Sequence, residues 1–388
     1  MVTGSTSSSD EALIADIVAE PDDDRPRLVY ADFLQQRGDP RGELIAIQCA
    51  LELARAADED AKAAKLSSAS RKLLDAHELL WVAPARSILP RAMRFRRGFI
   101  EHAALDHPDE LVKVMPRLRR HAPLLRAVDI QRGLAAIGDP ALAAIDEVVA
   151  HNVIELGDVH ALALAAEHSS LRQLTSAGTG LTDATLVALV ELPLRLAKLE
   201  LSLERRPTRR MPILERLAAA PARQHLRVLR IRNPASLDDV AAILPALPRL
   251  ETLVVTNGAP TATSVQALAE AAPQLIGLEL ESREGNDPHG VDLRSLVGAM
   301  PQLRHLRIEN LGITDAQASR LASSRVLEQL VRLDLSDNQL GRGAVAICES
   351  GRAGGLRRFK VSGNPLTDAD KQAIRASPLA ASRRVSVR

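Results

Sequence analysis

Aromatic side chains are scarce in this chain of 388 residues, which has one Trp, one Tyr and four Phe. Tyr30, Phe33, Trp81, Phe95 and Phe99 all fall within the first hundred positions, and only Phe359 comes later. A file of stacking rings along a basic groove, the device of single-strand nucleic-acid binders, is therefore excluded over most of the chain. The early rings point instead to a helical core and its seam with whatever follows. Cysteine is equally rare: Cys49 and Cys348 offer no disulfide framework and no zinc spacing, and read as core thiols in a reducing compartment. Neither sign of charge is in excess, since 50 basic and 49 acidic residues leave a net charge of +1. No global field draws the chain toward nucleic acid or an anionic membrane. No segment approaches the roughly 20 apolar residues of a membrane span. Met1 to Asp10 is Ser/Thr-rich without an apolar stretch, so a cytoplasmic location is expected.

What is abundant is repetition. The pattern L-x-x-L-x-L appears at Leu226, Leu250, Leu275, Leu303 and Leu330, and again from Leu356, where Phe359 takes the fourth place. Leu171 and Leu196 open two earlier copies, and successive copies lie 24 (226 to 250) to 30 (196 to 226) residues apart. Degenerate copies begin at Ile100, Leu125 and Ile145, and the period predicts a last strand near Val385 to Val387. Each copy reads as a short strand with alternate side chains inward. Asn338 and Asn364 follow the two best copies, where an amide satisfies backbone groups left open at the turn. Copies with Leu311, Gly258 or Pro234 in that slot are expected to turn less regularly. Polar starts at Thr182, Thr314 and Thr367, followed by apolar residues at helical spacing, predict a helix returning to each next strand.

Before residue 90 the period changes. A short amphipathic helix from Asp10 ends before Pro21; a second runs from Arg27 to Gln36 and stops at Gly38; Asp39 and Pro40 start a third; a fourth spans about Asp60 to Leu80. The acidic run Asp22 to Asp24 lacks the ordered spacing of a calcium loop and is read as helix capping.

The copy Leu330-Val-Arg-Leu-Asp-Leu-Ser-Asp-Asn338-Gln-Leu340 matches the leucine-rich-repeat consensus, and the period with its helices resembles the ribonuclease-inhibitor-like class. That resemblance implies an α/β horseshoe solenoid with a parallel sheet on the concave side and helices on the convex side. The stretch Arg27-Leu-Val-Tyr-Ala-Asp-Phe-Leu-Gln-Gln-Arg-Gly-Asp-Pro-Arg-Gly-Glu-Leu-Ile45 resembles the repeat-companion domain that precedes such repeats in bacterial proteins, and Phe95-Arg-Arg-Gly-Phe99 resembles its junction. Phe33 stands where that family often has Trp, and no activity is generally assigned to the domain. The expected organisation is a disordered stretch 1–9, an all-α domain 10–90 and a solenoid 91–388.

On a concave sheet the third, fifth and seventh positions of each repeat face solvent. The fifth column reads Asp129, Val149, Thr175, Glu200, Arg230, Val254, Glu279, Arg307, Asp334 and Lys360, and its last four members form a ladder of alternating charge. Such a ladder is structural in the first instance. The functional reading makes the C-terminal half of the face, with His305, Arg307, Glu309, Arg332, Asp334, Arg358 and Lys360, a docking surface for a protein partner, with Arg the only anchor type present. Arg91, Arg94, Arg96 and Arg97, and separately Arg205, Arg206, Arg209 and Arg210, are clusters able to grip phosphates, although the balanced net charge argues against nucleic acid. No phosphate loop, dinucleotide-binding glycine pattern or nucleophile elbow is present, and His77-Glu78 lacks the second zinc histidine. The expectation is a non-enzymatic interaction module or scaffold without cofactor or metal. Regulation of a switch protein such as a small GTPase is an alternative by analogy only.

Overall fold

The computed structural model describes residues 8–57, 59–151, 156–164, 170–177, 183–203, 212–258, 260–282, 291–381 and 385–386. Thr182, the second arginine cluster and most of the stretch 1–9 lie outside these residues, and Ser8 and Ser9 begin the first helix. The chain divides into two compact units, Met1–His151 with Leu164–Leu171, and Asn152–Ala163 with Arg172–Arg388. The change of sequence period at residue 90 thus falls inside the first unit. Among the described residues no helix is long and apolar enough to cross a membrane.

The first unit opens with helices α1 (Ser8–Ala19), α2 (Asp24–Gln36), α3 (Arg41–Ala56) and α4 (Asp60–Arg86). Asp23 caps α2 by accepting from the Arg25 amide at 2.9 Å, and Asp39 does the same for Arg41 at 2.8 Å ahead of α3. Gly38, at φ +72°, takes the left-handed conformation between them. Helix α4 runs past the expected end at Leu80 and through Pro84, with Val82 and Ala85 buried on its last turns. Tertiary packing there outweighs the break that Pro signals. Strands β1 (Met93–Arg96) and β2 (Phe99–Leu105) form an antiparallel hairpin whose two-residue turn, Arg97 at φ 47° and Gly98 at φ 82°, has the handedness such hairpins favour. Helix α5 (Asp109–Leu118), β3 (Ala127–Ile130) and β4 (Glu147–Ala150) follow, with β2, β3 and β4 parallel and in register. The degenerate copies at Ile100, Leu125 and Ile145 are therefore real strands.

The hairpin tip is pressed into the helices. A Cβ on Gly98 would lie 2.1 Å from Ile45 Cγ1, its amide donates to Gln48 Oε1 at 2.7 Å, and Gln48 Nε2 donates to Ser70 Oγ at 3.0 Å. Tyr30 stacks on Phe33 and Phe99 at 6.1 and 6.0 Å between centroids, and Trp81 meets Phe95 edge-on at 6.1 Å, so the early aromatics do form the helical core and its seam with the hairpin. Beneath them the fully buried Arg27 donates to Glu101 at 2.8 Å and to the Pro21 carbonyl at 2.8 Å. Burial pushes the Glu101 carboxyl up and the Arg27 guanidinium down from their ordinary values, which is the desolvation cost of holding this pair inside.

The second unit begins with α6 (Leu156–Leu164), most of which belongs to it, and continues through β5 (Gln173–Ser176), α7 (Asp183–Val190), β6 (Lys198–Ser202), α8 (Pro212–Ala219), β7 (Val228–Arg232), α9 (Leu237–Ile243), β8 (Thr252–Thr256), α10 (Ala262–Ala271), β9 (Gly277–Glu281), α11 (Leu293–Ala299), β10 (His305–Glu309), α12 (Asp315–Ala322), β11 (Arg332–Asp334), α13 (Arg342–Glu349), β12 (Arg358–Lys360), α14 (Asp368–Ala376), α15 (Pro378–Ala381) and β13 (Val385–Ser386). Strands β5 to β13 lie in chain order and pair parallel, with the closing strand where the period placed it. The first, fourth and sixth residues of each copy, such as Leu303, Leu306 and Ile308, are buried. At 25 cal/mol per Å² each such side chain contributes about 2 kcal/mol, so the stacked columns dominate the stability. Thr314 and Thr367 lie at helix N-caps as expected, and Thr367 exchanges hydrogen bonds with Asp370. Cys348 and Cys49 are both buried, and burial pushes each thiol up to about 12.

Asn338 satisfies the turn as its slot predicts: Oδ1 accepts from Leu311 and Ile313 at 3.1 and 3.0 Å, and Nδ2 donates to the Ile308 carbonyl at 2.8 Å. The expectation of irregular turns at Pro234, Gly258 and Leu311 is corrected. The preceding residues Asn233, Asn257 and Asn310 all leave the strand at φ 55–58°, as Asp337 does at 55°, and Gly363 follows at 70°. Asn233 donates to the Leu203 carbonyl at 3.1 Å, Asn257 to Asn233 Oδ1 at 2.9 Å, and Asn310 to the Ser282 carbonyl at 2.7 Å. The regular device is the left-handed eighth residue, with Asn favoured because its short amide bonds locally.

Two measurements follow from these contacts. Urea denaturation read by the single Trp81 reports on the first unit: Arg27→Met alone is expected to cost about 3 kcal/mol, and Arg27→Met with Glu101→Leu to recover most of that. A single variant as stable as the wild type would mean that the pair does not organise the unit. In the second unit, circular dichroism should rank Asn310→Gly, at about 1 kcal/mol for the lost hydrogen bond, above Asn310→Ala, which adds about 1–2 kcal/mol of left-handed strain. Equal costs would show that backbone strain is not what selects the residue.

Candidate functional site

The predicted docking residues lie on the open face of the second unit, on three neighbouring strands. The pairing register sorts them into rows. The middle row runs Glu279, Arg307, Asp334, Lys360 across β9 to β12, each residue directly opposite the next. Its signs alternate as expected, with Arg307 at 3.7 Å from Glu279 and 3.9 Å from Asp334, and Lys360 at 3.5 Å from Asp334. On one side His305, Arg332 and Arg358 stand opposite one another, a row of one basic kind. On the other side Glu281 stands opposite Glu309, a row of one acidic kind. Like groups directly opposite are destabilising, whereas the middle row is favourable by roughly 0.2–1 kcal/mol per pair. The middle row alternates in sign, which favours the fold directly.

Arg307 is the hub. It also bonds Glu309 closely and lies 4.0 Å from Glu281, so one guanidinium serves four carboxylates. Partial burial works against its charge, but Glu309, Asp334 and Glu279 outweigh that and hold the group above its ordinary value. Glu309 moves the other way for a carboxylate: partial burial, with Glu281 and Asp334 alongside, pushes it up despite Arg307. Beside Arg307 is a cleft of about 230 Å³ over Gly277, lined by Thr252, His305, Arg332 and Arg358. Gly277 keeps that space open, because a Cβ there would come within 3.1 Å of Thr252 Oγ1. Gly277 and Glu281 lie in the third and seventh columns and were not singled out in the sequence, where only the fifth column is followed across every repeat.

Of the junction arginines, Arg94, Arg96 and Arg97 border one cleft and Arg91 does not. Arg91 bonds Glu110 at 2.9 Å and Asp106 at 2.8 Å, Arg94 bonds Asp129 at 3.0 Å, and the buried Arg97 lies 3.3 Å from Asp24. Asp22 is engaged by Arg126 at 2.6 Å, whose hydrogen bond holds the carboxyl below its ordinary range. Of the acidic run only Asp23 caps a helix; its neighbours anchor arginines. Among the described residues no group of three metal-binding side chains gathers.

The fold these elements build is a leucine-rich-repeat solenoid preceded by a small all-α part. Among solved structures it is similar to a chain in the crystal structure of the Rad7 and Elc1 complex in yeast, with a TM-score of 0.51 and 16% sequence identity over 86% of this chain and 85% of that one. No protein-family model matches the sequence. No curated protein matches it either.

The hub makes a prediction of its own. Arg307→Ala leaves four carboxylates without their shared cation, and is expected to cost about 1–2 kcal/mol at low salt. At 1 M NaCl, where the screening length falls to about 3 Å, most of the loss should disappear. Urea denaturation followed by circular dichroism at both salts measures this, and a loss independent of salt would assign Arg307 to packing instead.

Proposed function

We propose that the chain is a non-enzymatic protein-interaction module whose docking face is the open sheet face at β9 to β12. The observation that carries this reading is the pair of single-sign rows. His305, Arg332 and Arg358 on one side and Glu281 with Glu309 on the other divide the open face into a basic and an acidic margin, a pattern that a partner of complementary charge would match. The partner this pattern suits carries acidic side chains toward the basic row and a Lys or Arg toward the acidic one. Charge then sets orientation and encounter rate, and the lack of aromatic anchors on this face keeps affinity modest. The solved structure with a similar fold belongs to a two-protein complex by its title, which supports binding by analogy of fold alone.

Helices returning between the strands support the ribonuclease-inhibitor-like class of repeat, and α1 to α3 support the repeat-companion reading of the N-terminal part. Three of the four junction arginines, Arg91, Arg94 and Arg97, are in close ion pairs, which weighs against the part of the nucleic-acid alternative that rests on them.

The test is affinity capture from the native extract with quantitative mass spectrometry, comparing wild type, Arg332→Glu with Arg358→Glu, and Glu281→Lys with Glu309→Lys. Arg307 is left intact because its reversal would unfold the hub. A discrete partner enriched by wild type and lost by both folded double variants is expected. The same partner retained by both would remove this face from consideration.

A further inference from the structure

The first unit contains a cleft of about 570 Å³ walled by α3 and α4 on one side and by β1 to β4 on the other. Six arginines reach it, from α3 (Arg55), α4 (Arg71), β1 (Arg94 and Arg96), the hairpin turn (Arg97) and the approach to β3 (Arg126). Three are engaged by acids of the unit: Arg94 by Asp129, Arg97 by Asp24 and Glu101, and Arg126 by Asp146 and Asp22. Of the other three, two share a single carboxylate and the third has none. Glu52 lies 2.9 Å from Arg55 and 4.0 Å from Arg96, while Arg71 makes no ion pair among the described residues. The other acids of the wall do not offset this: Glu101 is held by Arg27 and Arg97, and Glu147 sits on β4, three strands from Arg96, about 14 Å away at the usual strand spacing.

Guanidinium groups from three separate elements line one cleft with a single carboxylate between two of them, and an added anion offsets the positive charge that this leaves. Phosphate suits them best, because its oxygens accept paired N–H donors from Arg in fork geometry. Ser67 lines the same wall, and so does Phe95, whose ring is backed by Trp81. The volume lies within the range of small-molecule sites, about 300–1,000 Å³. We propose that this cleft binds a phosphorylated small molecule of mononucleotide size, its phosphate on Arg55, Arg71 and Arg96 and its ring against Phe95.

The test uses the full chain and two probes, AMP and adenosine, in isothermal titration calorimetry. Saturable AMP binding is expected, with adenosine at least about tenfold weaker, since that factor corresponds to only 1.4 kcal/mol. Arg71→Ala with Arg96→Ala, both exposed positions, should weaken AMP by about tenfold or more without lowering the melting temperature. Absence of AMP binding at millimolar concentration, equal binding of both probes, or AMP binding unchanged in the double variant would each overturn the assignment.

Discussion

A strand of the L-x-x-L-x-L kind cannot bury its own leucines, and everything in the second unit follows from that. The columns headed by Leu226, Leu250, Leu275, Leu303, Leu330 and Leu356 become a core only when the strands stack in parallel and in register. A slip of one residue would turn each column outward, so register is fixed by burial rather than by any polar contact. Five of the strands leave the sheet at the same point through a left-handed residue, Asn233, Asn257, Asn310, Asp337 or Gly363. Helix caps such as Thr367 then start the return path.

Once the buried columns and the turns are fixed, the open face is where sequence is free to vary, and the middle row uses that freedom for alternating charge. The flanking rows do not. They keep one sign along each row, with Arg307 reaching across to the acidic one. The first unit shows the same contrast in another form. Arg27 and Glu101 are buried at a desolvation cost and answer each other, whereas Arg55, Arg71 and Arg96 gather at a cleft with too few acids to answer them.

The strand positions, their register and the closing strand at Val385 were legible because burial imposes a period that one sequence displays. The alternating ladder was legible for the same reason, since register converts a column of letters into a row of neighbours. The eighth-position Asn was not, because backbone handedness leaves only a preference for Asn, Asp or Gly, which is a weaker signal than the ninth-position Asn338 and Asn364 of the consensus. Helix α4 ran beyond Leu80 because packing of Val82 and Ala85 overrode Pro84. The arginine grouping could be read only in part: the junction run names Arg94, Arg96 and Arg97, but Arg55 and Arg71 join them at one cleft only after α3 and α4 pack there.

Strand β1 is antiparallel to β2, and every other strand pair described within either unit is parallel. Antiparallel and parallel edges present their amides and carbonyls with different spacing and slant. A leucine-rich strand from a second copy, shaped to continue a parallel ladder, finds at β1 an edge of the wrong polarity that also carries Arg94 and Arg96. Repeat proteins risk polymerising end to end through the very regularity that folds them, and a reversed, charged terminal strand is a safeguard against runaway fibre growth.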